Sequence, residues 1–286
     1  MKKNISRRNF IKSTALVSMF PFLANAEETK KEEKTKETLR FIHVTDSHMD
    51  LGNEESVDAM KLMVEYINKH YKALDFVLFG GDNFNNNVKG NEDALVYKKI
   101  VDKLHCPTYH VRGNKESHPK PNDAIHLDEF QQLFMSSKAL KVEGKDWRLD
   151  TKGYTLLGLD SAIEGANNGE YTKETIVFAQ KALKEGNPTV ILNHHPYTNY
   201  WKGTDPKDIH KYVLGNTDDV QKKLFTHEHL ILTLSGHKHI DSVTEINKTK
   251  VVVTRGFIKP LDMDAYPMRY VELSDGKVNE KLIYTA

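Results

Sequence analysis

Leu230-Ile231-Leu232-Thr233-Leu234-Ser235-Gly236-His237-Lys238-His239 joins an apolar run to a glycine and two histidines spaced two apart. Short uncharged runs of this kind suit strands buried on both faces, and here the polar cluster begins where the strand ends. The construction occurs four more times. Asp46-Ser47-His48 follows Phe41-Ile42-His43-Val44, and Gly81-Asp82-Asn83 follows Phe76-Val77-Leu78-Phe79. Gly113-Asn114 follows Thr108-Tyr109-His110-Val111, and Asn193-His194-His195 follows Val190-Ile191-Leu192. Open α/β sheets place their ligands just beyond the carboxyl ends of such strands, so five strands would aim their polar ends at one rim.

Between these runs lie segments with apolar residues at helical spacing: 54–71, where Met60, Met63, Val64 and Ile67 form the stripe, then 91–104, 127–136, 172–183 and 217–225. Strand and helix alternate through most of the chain. Its end differs, with short strand-like runs at 243–246, 251–254, 270–273 and 281–284 separated by turns such as Ser274-Asp275-Gly276. That change suggests a second, more antiparallel sheet. Two mixed sheets packed face to face, with helices outside, are the economical α/β arrangement for one domain over residues 39–286. Two longer connections, 160–171 and 196–215, follow rim-side strand ends and are candidate substrate loops. The second carries Tyr197, Tyr200, Trp201 and Gly203.

Residues 1–26 read as an export signal. Ser6-Arg7-Arg8-Asn9-Phe10-Ile11-Lys12 is a paired-arginine signature, the apolar stretch Ala15 to Leu23 is too short to span a bilayer, and Ala24-Asn25-Ala26 has the small residues a signal peptidase reads. No cysteine directly follows to accept a lipid. The expectation is a periplasmic or otherwise exported protein, handled by the twin-arginine machinery, with no stable membrane anchor. Residues 27–38 alternate Lys and Glu and bury too little to fold, so they read as a solvated linker.

The net charge of +1 includes Lys2, Lys3, Arg7, Arg8 and Lys12; without these five, 36 basic residues face 40 acidic ones, a net −4. Neither a basic stripe nor an aromatic RNA-binding signature appears, which argues against a nucleic-acid partner. Cys106 is the only cysteine, so no intramolecular disulfide framework exists, and it reads as a small buried filler.

Carboxylates, an amide oxygen and imidazoles together suit Zn, Mn or Fe better than Ca, which prefers an all-oxygen cage. In order, the clusters resemble the signature of the calcineurin-like metallophosphoesterase superfamily: D-x-H, G-D, G-N-H-E/D, H and G-H-x-H. Leu39 to about Thr254 is covered, with four of five blocks intact. Leu159-Asp160-Ser161, with Gly165, Gly169 and Gln180 beyond it, looks like the branch of cyclic-nucleotide and glycerophosphodiester phosphodiesterases. The resemblance implies a four-layer α/β/β/α sandwich and two divalent or trivalent metal ions. One would take Asp46, His48, Asp82 and His239, and the other Asp82, Asn114, His194 and His237. It implies hydrolysis of a small phosphate ester, diester favoured over monoester, by a metal-bridging hydroxide.

The third block departs from the signature: Gly113-Asn114-Lys115-Glu116 has lysine where the family has histidine. Lys115, with Asp82 and Asn114, is the expected catalytic position, since a lysine beside two cations can give up its proton or grip phosphate as a point charge. His118 is a possible substitute. The alternative is a descendant that keeps the metals and binds a ligand with weak turnover or none. A nuclease would use the same chemistry but lacks a basic track. His195 competes with His194 as ligand, with family resemblance favouring His194. Arg112 and Arg255 stand beside strand ends, as phosphate contacts or in structural ion pairs.

Replacing Arg7 and Arg8 together with lysine is expected to leave uncleaved precursor in the cytoplasm. Fractionation followed by immunoblotting measures this, and an undiminished exported yield contradicts the signal assignment.

Overall fold

β1 (Leu39–Val44) has almost no polar face, and neighbouring strands flank it on both sides. The computed structural model describes residues 37–86, 89–117, 125–198 and 204–286. The signal reading, nearly all of the charged linker, His118, Tyr200, Trp201 and Gly203 lie outside the described residues. After β1 come α1 (Glu54–His70), β2 (Phe76–Phe79), α2 (Glu92–Val101), β3 (Thr108–His110), the single turn α3 (Asn114–Ser117) and α4 (Leu127–Phe134). The chain continues through β4 (Lys141–Glu143), β5 (Asp146–Thr151), β6 (Tyr154–Gly158), α5 (Lys173–Leu183), β7 (Thr189–Leu192) and α6 (Thr217–Leu224). It ends with β8 (Leu230–Ser235), β9 (Ser242–Ile246), β10 (Thr249–Val253), β11 (Pro267–Ser274) and β12 (Lys277–Tyr284).

Two mixed sheets result, ordered β12-β11-β1-β2-β3 and β4-β5-β6-β7-β8-β10-β9. Side-chain alternation shows how they pack. Leu156, Val190, Leu192, Leu232, Leu234 and Val252 join the core that holds β1 and β2. Their neighbours Leu157, Ile191 and Val251 point the other way, into a second core with Ile176, Ala179 and Leu183 of α5 and Val220 and Leu224 of α6. Met60, Met63 and Ile67 of α1, Tyr97 of α2, and Phe130 and Phe134 of α4 close the outer face of the first sheet. Helices therefore cover both sheets from outside, the expected α/β/β/α layering.

The five sequence-predicted helices are present with ends shifted by three residues or fewer. The C-terminal strands do not form a sheet of their own. β9 and β10 extend the second sheet, while β11 and β12 extend the first, β11 lying antiparallel to β1 with Leu39 opposite Leu273. The sequence reading missed β4 and β5, where Arg148 and Asp150 interrupt Trp147 and Leu149, and implied β6 only as the strand end before 160–171; β5 and β6 are joined through Lys152-Gly153, both at positive φ. Cys106 is half-buried against the core rather than fully enclosed. Among the described residues no helix is long and apolar enough to cross a membrane.

β1, β2 and β3 run parallel, as do β6, β7, β8 and β10, so their carboxyl ends lie on one side of each sheet. The two rims are stitched together by backbone. Phe257 N, after β10, donates to Thr45 O at 2.8 Å, and Ile258 N to Asp46 O at 3.0 Å, both acceptors lying after β1.

One buried group in β3 is energetically unfavourable. His110 stacks on Phe79 at 4.6 Å and lies 4.8 Å from Phe134, with neither ring nitrogen hydrogen-bonded. Burial, with a smaller push from Lys98, lowers its pKa to about 3. Between that value and about 6.5 the unfolded chain takes up a proton that the folded chain refuses, so stability is lost as pH falls through this window. His110→Phe keeps the ring and removes both effects. Urea titrations are expected to give a stability gain over wild type that grows by about 1.4 kcal/mol per pH unit below 6.5. A pH-independent difference contradicts this account.

Candidate metal centre

The ligand-type residues predicted from sequence converge where the two rims meet. Asp46 and His48 follow β1, Asp82 follows β2, Asn114 opens α3 after β3, His194 follows β7, and His237 and His239 follow β8. Five of these seven adopt positive φ: Asp46 (55°), His48 (46°), Asp82 (50°), His237 (68°) and His239 (55°). Such backbone costs a non-glycine residue about 1–3 kcal/mol, and Asp and His are among the side chains that tolerate it best. Each kink turns a side chain from the strand direction toward the common point.

The donors fall into two groups that share Asp82. On one side, His239 Nε2 lies 3.1 Å from Asp46 Oδ1 and 3.1 Å from His48 Nε2, which is 3.6 Å from Asp82 Oδ2. On the other, Asn114 Oδ1 is 3.2 Å from His194 Nε2 and 3.0 Å from His237 Nδ1, while Asp82 Oδ1 is 3.5 Å from His194 Nε2. Asp82 thus presents one carboxylate oxygen to each group.

Three imidazoles are aimed by what their outer nitrogens touch. His194 Nδ1 lies 2.9 Å from the Gly80 carbonyl, His237 Nε2 lies 3.1 Å from the Lys211 carbonyl, and His48 Nδ1 lies 3.0 Å from Asn85 Oδ1. A carbonyl or amide oxygen only accepts, so each outer nitrogen carries the proton and the inner one offers a lone pair. Asp46 is oriented likewise: Thr45 Oγ1 donates to its Oδ2, His237 N donates to both carboxylate oxygens, and Oδ1 faces His239.

The electrostatics favour positive charge at this point. Burial works against a charged His194, yet the Asp82 carboxylate, with Asp46 and the Gly80 carbonyl, outweighs it and holds the imidazole up at about 9. Burial likewise opposes ionisation of Asp82 and Asp46, but the surrounding histidines hold both below the usual carboxylate range. Inward lone pairs, two ionised carboxylates and a neutral amide oxygen fit divalent or trivalent cations of the borderline class.

His195 packs against this arrangement, its ring 4.5 Å from that of His237 and one nitrogen close enough to form a group with His194 and His237, but both its nitrogens have other partners. Its Nε2 is 3.2 Å from the Asn167 carbonyl, and its Nδ1 is 2.8 Å from Ser161 Oγ. The first contact fixes the proton on Nε2, so Ser161 donates to Nδ1 and both nitrogens are occupied. His195 therefore ties the 160–171 connection to the site, and His194 is the imidazole turned inward.

Both arginines turn to structural partners. Arg112 is buried and paired with Asp160 and Glu164, both at 2.6 Å, and Arg255 donates to the carbonyls of Lys259 and Pro260. Tyr197 is buried with its hydroxyl 2.6 Å from that of Tyr171, so it braces the second connection rather than lining a substrate path. Lys115 is half-buried, its N–H donating to Asp82 Oδ1 at 2.7 Å, and among the described residues its ammonium makes no ion pair.

Sequence reading missed Glu116. Its buried carboxylate accepts from Asp82 N at 3.0 Å, Asn83 N at 2.6 Å and Gly113 N at 2.7 Å, clamping two ligand loops together. Burial and the nearby Asp82 charge raise its pKa to about 7 against those three donors. Its place in Gly-Asn-Lys-Glu was the available signal. Asn85 was missed too, and only its position three residues past Asp82 marked it.

Residues 39–241 match the family model of the calcineurin-like phosphoesterases, a span that includes all seven converging residues. The chain belongs to this family. A probable glycerophosphodiester phosphodiesterase of Arcobacter nitrofigilis is 25% identical over 219 residues, covering 74% of this chain and 76% of that protein. Among solved structures, a dimetal phosphatase from Danio rerio superposes with a TM-score of 0.66 at 12% identity, over 87% of this chain and 99% of that one. A purple acid phosphatase from yellow lupin seeds gives 0.61 at 12% identity, over 88% of this chain and 52% of that one. These two structures establish the likeness of fold.

Close approach at the clamp leaves no room for a side chain at Gly113, where a Cβ would lie 2.3 Å from Asp82 Oδ1 and 2.4 Å from Asp82 N. Gly113→Ala is expected to lower stability by about 1–3 kcal/mol in urea titrations. It is also expected to reduce metal retained after desalting. Wild-type values for both measurements contradict the tight fit.

Proposed function

We propose that this family member is an exported, dinuclear-metal phosphoesterase that hydrolyses a small phosphodiester or phosphomonoester. The observation that carries the reading is the division of Asp82, with Oδ2 toward His48 and Oδ1 toward His194. Asp46, His48, Asp82 and His239 would hold one cation, and Asp82, Asn114, His194 and His237 the other, with Mn, Fe or Zn the best-suited metals. Such cations supply an activated water and neutralise the charge that develops on phosphoryl oxygens. The protein residues aim the imidazoles of His48, His194 and His237 inward, hold the bridging carboxylate ionised, and fix both sets on rigid strand ends. Preference for diesters is supported by the Arcobacter relative's name and by Leu159-Asp160-Ser161. Export rests on Arg7-Arg8 and the apolar stretch after them.

Lys115 occupies the position next to Asn114, where the family signature has histidine. We assign it to the leaving oxygen, as proton donor, or to a phosphoryl oxygen, as a fixed charge. The second reading, a metal-retaining binder without useful turnover, is favoured by this same substitution, since loss of a general acid costs roughly 10²- to 10⁴-fold in rate.

Metal analysis of the remetallated wild type is expected to give two ions, with both lost or weakened in Asp82→Ala. On a panel of nitrophenyl and alkyl esters, nitrophenyl esters, whose leaving groups need little protonation, are expected to react well and alkyl esters to lag. Comparing kcat/KM of wild type, Lys115→His and Lys115→Ala then separates the roles. Improvement of alkyl esters alone by histidine identifies lysine as a lost acid, and a fall on every ester identifies a working contact. Equal activity of all three on both classes removes Lys115 from the reaction. No turnover by any of them with both metals bound establishes the binder.

A further inference from the structure

His194 and His237 are aimed by backbone carbonyls that no substitution removes, whereas His48 is aimed by a side chain. Its Nδ1 lies 3.0 Å from Asn85 Oδ1, and Asn85 Nδ2 lies 3.3 Å from Asp50 Oδ2. A flipped Asn85 amide would set an NH2 group against the His48 N–H and an oxygen against a carboxylate, two repulsive contacts at once. Asp50 therefore fixes the amide, the amide fixes the tautomer, and the tautomer turns the Nε2 lone pair inward.

The backbone holds this chain of contacts in register. Pairing of β1 with β2 continues past both strand ends, with His48 N donating to Asp82 O at 2.9 Å, Met49 N to Asn83 O at 3.1 Å and Asn85 N to Met49 O at 2.9 Å. Asp50 is steadied independently, since its Oδ1 accepts from Gly52 N at 2.8 Å and its own N–H donates to Ser56 Oγ at 2.9 Å. All three side chains thus stand on one extended ladder, with the amide midway between carboxylate and imidazole.

We propose that Asn85 and Asp50 are positioning residues that set the affinity for a cation on the Asp46, His48 and His239 side of the site. The proposal rests on the reading of those three side chains as cation ligands. A neutral amide partner restrains the ring while adding no charge, so it orients His48 without making this side more anionic. Asp50 acts one step further out and has the smaller effect.

The test is Co²⁺ titration of the metal-stripped full chain, following visible absorption and bound stoichiometry. Asn85→Leu, which keeps the volume and removes the acceptor, is expected to weaken one of two bound ions by about 10- to 100-fold and leave the other unchanged. Asp50→Asn is expected to weaken the same ion to a lesser extent. Ser56→Ala, which disturbs the Asp50 loop without touching the contacts to His48, is expected to bind as wild type. If Asn85→Leu fails to fold, Asp50→Asn with its Ser56→Ala control carries the test alone. Wild-type binding of both ions by Asn85→Leu or, where it does not fold, by Asp50→Asn overturns the proposal. An equal loss in Ser56→Ala also overturns it, because loop packing then explains the effect. Failure of the underlying ligand reading looks different: the wild type binds no Co²⁺, or Asp46→Ala and His239→Ala bind both ions normally.

Discussion

The candidate site depends on a backbone that turns left-handed at most of the residues that converge on it. On an extended strand the side chains stand perpendicular to the sheet, so Asp46 and His48, leaving β1, would share a face but not point past the strand end toward groups from β2 and β8 without a break in that geometry. Positive φ at five of the seven positions supplies it. The cost is carried by the surroundings: paired backbone beyond β1 and β2, the three N–H donors gathered on Glu116, and a glycine at 113 that lets two loops close to atomic contact. Aspartate and histidine suit the place twice over, as donors to a cation and as side chains that accept this backbone.

What could be read from the sequence, and what could not, follows from where each piece of information resides. Phe76-Val77-Leu78-Phe79 announces a buried strand because both of its faces are apolar, and Asp82 just beyond it announces a ligand because of its chemistry. β5 carries Arg148 and Asp150 beside its core residues, so period and composition disagree and the strand passes unnoticed. The C-terminal runs were legible as strands, but membership in one sheet or the other is decided by pairing with β1 and β8 far away. The choice between His194 and His195 turns on which atoms meet their outer nitrogens, and a carbonyl such as that of Gly80 leaves no trace in the letters. Glu116 and Asn85 act through backbone N–H groups and through another side chain, which is why residue type alone did not single them out.

The two connections suspected of meeting substrate prove to have a bracing function as well. The 160–171 stretch is tied down by His195 and by the Arg112 ion pairs, and the 204–215 stretch by the Lys211 carbonyl and by the Tyr212 ring beneath Lys238 Nζ. Each touches a residue adjacent to a candidate ligand or the ligand itself. Substitutions there would act on the candidate ligands indirectly, through the orientation of the imidazoles and of Asn114, whose Nδ2 donates to Asn167 Oδ1 at 3.4 Å.

β11 has a bearing on how the protein comes into being. Every candidate ligand lies upstream of Pro267, yet β1, which leads into the first two, has the β11 side of its ladder open until the segment Pro267–Ser274 arrives to pair with it. A growing chain therefore carries its full set of donors for some time before the platform beneath Asp46 and His48 is finished. Contacts between such distant segments form slowly. Assembly of the centre is in this sense a late event in synthesis, and clipping the chain after β10 would leave every donor present on an unfinished sheet.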